Sequence, residues 1–254
     1  RRRGASLLPH ARRVLQEIRS AHRAITAVSR ATSAHVTFTA SESVSSYLLT
    51  PALGALRQRW PATRFSVSVA TCAQVRAEVA HGRCDMGLIL GGDGPASVEP
   101  DLDATRVGTV APAVNVMGRI PLVIFCGAKH PLVRRQRRRA LPLDSVAKFR
   151  MLTAEPADEF HGTLAKYFAT ESVAGVQFEP VGSVDAVKRG VRNDPTALGI
   201  LPRCALDGDM ESGKTREIRL LGEPPRVQLM ALLPRSLGTR HPSMAELLKL
   251  LRCE

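Results

Sequence analysis

HVTFTASESVSSYLLTPALGALRQRWPATRFSVSVATCAQVRAEVAHGRCDMGLIL, residues 35–90, decides the fold. His35–Ala40 alternates apolar and polar residues, the period of a half-buried strand. Ser41 and Ser43 then offer short hydroxyls as N-caps for a helix from about Val44 to Arg59, and Trp60-Pro61 stops it. Arg64–Ala70 alternates again and reads as a second strand. Thr71 or Cys72 opens a helix to His81, with Gly82 as its C-terminal cap. Met86–Leu90 is a short apolar strand, followed by a turn through Gly91, Gly92, Asp93 and Gly94. The order β-α-β-α-β predicts a mostly parallel sheet in an α/β fold.

Toward the C-terminus, residues 95–119 are a weakly patterned crossover with one strand over Thr105–Thr109. Strands are predicted at Ile120–Cys126, Arg150–Thr153, Phe178–Val181, Ala197–Leu201, Thr215–Leu220 and Gln228–Leu233. Lys129–Leu132 reads as a turn and Arg134–Arg139 (RRQRRR) as a solvated loop, with no aromatic residues interleaved for base stacking. Helices are predicted near Asp144–Phe149, over Asp158–Glu171, from the cap Ser183 to Val191, and over Ser243–Leu251 with Ser243 as cap and Glu246 three positions on. Two β-α-β-type halves thus lie in series. Residues 34–122 form lobe I, 123–224 form lobe II, and 225–254 return to lobe I.

Toward the N-terminus, residues 5–32 read as one long helix of roughly 40 Å. Leu7, Leu8, Ala11, Val14, Leu15, Ile18, Ala21, Ile25 and Val28 form a near-heptad stripe that Arg12, Arg13, Arg19, Arg23 and Arg30 avoid. Such a stripe fits a helix lying on its own domain and, better, one that pairs with another chain. Residues 1–33 are therefore a linker and dimerisation segment, with Leu8, Leu15, Ile18 and Ile25 as contacts in a homodimer or homotetramer.

The composition bounds the function. No apolar run approaches the ~20 residues of a membrane span, and no signal-peptide pattern is present. Five cysteines, none in CxxC spacing, fit neither a disulfide framework nor a zinc site and suit a reducing cytoplasm. The net charge of +13 attracts polyanions. GxSxG, HExxH, GxxxxGK[ST] and a post-strand GxGxxG are all missing, and no two of the seven histidines stand at ligand spacing. No catalytic, metal or cofactor site is expected.

Read in order, LLPHARRVLQEI, VTFTASESVSSYLLTPALGALRQRWPATRFSVSV, EVAHGRCDMGLIL, PLVIFCGAKHPL, VGSVDAVKRGV and ALGILPRC resemble a LysR-type transcriptional regulator over nearly the whole chain. The resemblance implies a linker helix followed by two Rossmann-like lobes of the type 2 periplasmic-binding-protein fold. It also implies DNA binding through a winged helix-turn-helix that is not among these residues. Arg192–Pro195 stands where the family has a glycine-rich approach. A small, anionic effector would bind between the lobes, at helix N-termini whose free N–H groups and partial positive charge suit a carboxylate. Ser41, Ser43, Thr71 and Cys72 are the candidates from lobe I. Phe125, Cys126, Ser183, Val184 and Pro202 are those the resemblance places on the far side. Cys72 at a helix N-terminus could also act as a redox thiol, against the plainer reading of a small buried side chain. A solute-binding protein of a transport system is the alternative function, and an enzyme on the same scaffold a third.

Overall fold

The computed structural model describes Glu17 and residues 35–92, 111–136, 139–154, 160–235 and 241–252. The predicted linker helix with Leu8, Leu15, Ile18 and Ile25, and the strand predicted at Thr105–Thr109, lie outside the described residues. The chain divides into two compact units. Among the described residues, one holds the chain to Leu90, the stretch to Gly118 and everything from Leu229 on; the other holds Gly91, Gly92 and Arg119–Gln228.

In the first unit, strands β1 (His35–Ala40), β2 (Arg64–Val69) and β3 (Met86–Gly91) are parallel, with β1 central; His35 pairs with Arg64, Ala40 with Val69, and Phe38 with Met86. The order is β2-β1-β3-β9, where β9 is Arg226–Leu233. Helix α1 spans 42–59 as Glu42–Val44, a π-helical stretch Ser45–Leu49 and Thr50–Arg59. It buries Val44, Leu49, Leu53 and Leu56, each worth about 1.5–3 kcal/mol in transfer from water. Helix α2 (Cys72–Ala80) covers a second cluster of Cys72, Val75, Val79, Cys84, Ile89, Met230 and Leu232. Gly87 permits this approach, because a Cβ there would lie 2.6 Å from Val79 and 2.7 Å from Val75.

In the second unit the order is β4-β7-β5-β6, with β4 (Ala113–Gly127, of which the part from Arg119 on belongs to this unit), β5 (Arg150–Thr153), β6 (Gln177–Pro180) and β7 (Ala197–Pro202); β8 (Thr215–Glu217) pairs with β4. Strands β5, β6 and β7 are mutually parallel, whereas β4 runs antiparallel to β7 and β8. The helices are α3 (Pro131–Arg135), α4 (Phe160–Thr170), α5 (Val184–Asn193) and α6 (Asp207–Glu211); α7 (Pro242–Leu250) belongs to the first unit.

Four expectations change. The strand predicted from Ile120 begins at Ala113 and runs unbroken through Gly118 to Gly127. The turn predicted at Lys129–Leu132 is the start of α3: His130 caps it, its Nδ1 accepting the Leu132 N–H at 3.2 Å, and Pro131 takes the first helical position. Helix α7 repeats this arrangement with His241 and Pro242, so Ser243 is a buried helical residue rather than the cap. Only a 3-10 turn, Leu143–Ser145, forms where a helix was expected near Asp144–Phe149.

Candidate functional site

The C-terminal ends of β1, β2 and β3 gather Ser41, Thr71 and Cys72. The Ser41 N–H donates to the Leu88 carbonyl at 3.0 Å, and the Ala70 N–H to the Ala40 carbonyl at 3.0 Å. Ser41, not Ser43, occupies the cap position of α1, since the helix begins at Glu42. Its hydroxyl makes no capping bond, is buried, and has no hydrogen-bond partner among the described residues. Burying such a group unpaired costs about 1–3 kcal/mol. Ser43 lies inside the first turn and is also buried.

Thr71 closes α2 with a reciprocal capping box. Its hydroxyl accepts the Gln74 N–H at 3.3 Å, and Gln74 Oε1 accepts the Thr71 N–H at 3.0 Å. Cys72 points inward, its thiol donating to the Leu90 carbonyl at 3.6 Å.

In the second unit Ser183 caps α5, its Oγ accepting the Ala186 N–H at 3.1 Å, and Val184 behind it is buried. Ser183 and Pro202 follow or end parallel strands and share that end of the sheet. Thr153, the last residue of β5, stands there too, its carbonyl accepting the Val181 N–H at 2.9 Å. Sequence reading missed it, although a threonine closing a strand was a visible signal.

Phe125 and Cys126 are not brought to that end. Antiparallel pairing sets Leu122 opposite Pro202 but Phe125 opposite Gly199 and Cys126 opposite Leu198. They lie about 10–13 Å back along the sheet at the usual rise per residue. Both are fully buried; the Phe125 ring fills the space a Cβ on Gly199 would need, 2.7 Å away. They are core residues of the unit.

The thiols are placed for packing. Burial pushes Cys126 up to about 12 and raises Cys84. Cys72 bonds at Leu90 while Cys84 precedes the opposite end of β3; Cys204 follows β7 six residues beyond Cys126's partner Leu198. About 20 Å of strand separates the first pair and more than about 10 Å the second, both outside the ~7 Å Cα spacing a disulfide tolerates. Among the described residues no three His, Cys, Asp or Glu side chains cluster as metal ligands, and no helix is long and apolar enough to cross a membrane.

Comparison with known proteins places this geometry. No curated protein matches the chain. Solved structures do. The regulatory domain of CcmR from Synechocystis PCC6803, in complex with 2-PG, matches at TM-score 0.68 and 15% identity, over 86% of this chain and 96% of that one. The cofactor-binding domain of the Cbl transcriptional regulator matches at TM-score 0.69 and 17% identity, over 87% and 89%. A full-length OxyR variant from Pseudomonas aeruginosa matches at TM-score 0.70 and 15% identity, over 98% and 75%. The family model for the LysR substrate binding domain matches residues 29–254. With this periplasmic-binding-protein-like α/β fold and that match, the chain belongs to the LysR substrate-binding-domain family, the effector-sensing part of transcription regulators and not an enzyme.

Proposed function

We propose that this effector domain senses a small carboxylate- or phosphate-bearing metabolite, held by Ser41 and the first turn of α1 and by the Thr71–Cys72 turn, with Ser183 at the start of α5 a separate candidate contact on the other unit. The observation that carries the reading is the buried Ser41 hydroxyl, which has no partner among the described residues and stands beside the free N–H groups of a helix start. An anionic oxygen accepts from both. Ser43 lies buried behind this site in the first turn of α1, and Val184, Pro202, Phe125 and Cys126 are buried residues of the other unit. Effector binding shifts the balance between domain states, and paired chains, joined through residues 5–32, pass that shift to DNA-binding domains.

A thermal-shift screen of small carboxylates and phosphorylated acids tests this. A binder raises the melting temperature of the parent. Ser41→Val abolishes that rise and leaves the unliganded melting temperature unchanged or higher, because it removes an unpaired buried hydroxyl. A binder whose affinity is unaltered by Ser41→Val and by Ser183→Ala places the site elsewhere.

A further inference from the structure

The described arginines of the Arg134–Arg139 run are exposed, as a solvated segment predicts, but its first two residues are helical. Arg134 and Arg135 form the last turn of α3, and the next residue, Gln136, turns into the protein and is 8% exposed. Its Nε2 donates to the Glu217 carbonyl at 2.8 Å, and its Oε1 accepts the Arg219 N–H at 2.8 Å. Arg219 answers with its side chain, Nη2 donating to the Gln136 carbonyl at 2.9 Å. Further along, the Leu141 N–H donates to the Arg219 carbonyl and the Leu221 N–H to the Leu141 carbonyl, both at 2.8 Å. Arg139, two residues before Leu141, is thereby carried to the same place. One buried amide and a short backbone ladder thus gather Arg134, Arg135, Arg139 and Arg219, all exposed, on a single unit.

None of these four guanidiniums has a carboxylate partner among the described residues, whereas Arg83, Arg150, Arg189, Arg192, Arg203 and Arg226 each have one. Glu217, the carboxylate on the adjoining strand, is already held by Arg203 at 2.7 Å. Gathering like charges without counter-charge is unfavourable, so this face is complementary to an external polyanion. Guanidinium forks match phosphate oxygens bidentately.

We propose that Arg134, Arg135, Arg139 and Arg219 form a docking face for the phosphate backbone of duplex DNA, gripping it without reading its sequence. Fixed cations suit the regular phosphates of a duplex. Single strands require aromatic platforms, and residues 131–141 and 215–221 contain none; Phe149, further along the chain, is engaged edge-on with His130. Such a face would act wherever the effector binds.

The test is fluorescence anisotropy of a labelled random-sequence duplex with the whole chain over a salt series. Arg134→Ala/Arg135→Ala/Arg139→Ala should flatten the slope of log K against log salt by about 3, at roughly 0.9 for each phosphate no longer neutralised. Arg57→Ala/Arg59→Ala/Arg64→Ala removes the same charge from exposed arginines that no buried side chain ties together, and should change the slope far less. Gln136→Leu keeps every charge and, with folding confirmed by melting, should weaken binding several-fold. Equal slopes for the two triple variants overturn the proposal. So does undiminished binding by folded Gln136→Leu, which would leave only bulk charge, or stronger competition by single-stranded RNA of equal phosphate number.

Discussion

Lys188 Nζ stands 2.6 Å from Asp209 Oδ2, and both side chains are largely buried between α5 and α6. Arg192, one turn further along α5, reaches the other oxygen of the same carboxylate at 3.1 Å. One acid therefore holds two cations on the helix whose N-terminus carries Ser183. Removing it takes away the carboxylate that faces a buried ammonium. Asp209→Ala should destabilise the protein by about 2–4 kcal/mol in urea denaturation, less than a fully buried pair because Arg192 retains solvent contact. Lys188→Met, which removes the buried charge and keeps the volume, should cost clearly less. Equal costs would mean the pair is not the operative interaction.

Helix α5 also approaches the sheet too closely for side chains beneath it. A Cβ on Gly127 would lie 2.4 Å from the Val191 carbonyl oxygen, and one on Gly199 would meet Phe125 at 2.7 Å and Val187 at 2.8 Å. Gly127→Ala and Gly199→Ala should each lose about 1–3 kcal/mol by overpacking. Gly54, inside α1, has nothing within 4 Å of its Cβ position. Gly54→Ala should gain about 0.5–1 kcal/mol. Thermal melts of the three variants check the opposite signs.

Acid should loosen α3 before the rest of its unit. Burial lowers the pKa of His130 below its ordinary value of 6.5, against a smaller upward pull from Asp194. The neutral ring is needed, since Nδ1 accepts the Leu132 N–H. A depressed histidine binds its proton more readily in the unfolded chain, so its contribution is intact above about pH 6.5 and is lost as pH falls through the lower folded value. His241, also lowered by burial and also a cap, adds in the same direction. His130→Asn keeps an acceptor without the titration and should flatten the fall in stability between neutral and acid pH. An unchanged pH profile would contradict this.

Thiol labelling separates packing cysteines from reactive ones. Cys72, Cys84 and Cys126 are buried, while Cys204 is partly exposed. At pH 8 a thiol pushed up to about 12 carries almost no thiolate. Site-resolved mass spectrometry of the native protein should show maleimide on Cys204 well before those three, and peroxide should form no disulfide among the four. A disulfide between Cys72 and Cys84 would refute the placement.

Local chemistry made much of this molecule legible. Strand β1 runs from His35 to Ala40 as its alternation dictates, and Ser183 caps α5 as a hydroxyl before an apolar period should. Those signals act over a few residues. The two His-Pro helix starts escaped because histidine is a weaker cap signal than serine, and Ser243 stood two residues away as a decoy.

The alternation of strands and helices, and hence an α/β chain with small polar residues at several helix starts, is legible in the residues alone, because period, caps and turn residues are properties of neighbours. Which of those residues share a place follows from pairing between distant parts of the chain. Reversing β4 against β7 puts Leu122 beside Pro202 and carries Phe125 and Cys126 back into the core, and Gln136 reaches across 83 residues to bring Arg219 to Arg134 and Arg135. Strand direction and long-range hydrogen bonds are settled by what else must be buried at the same time, which no short stretch of chain records.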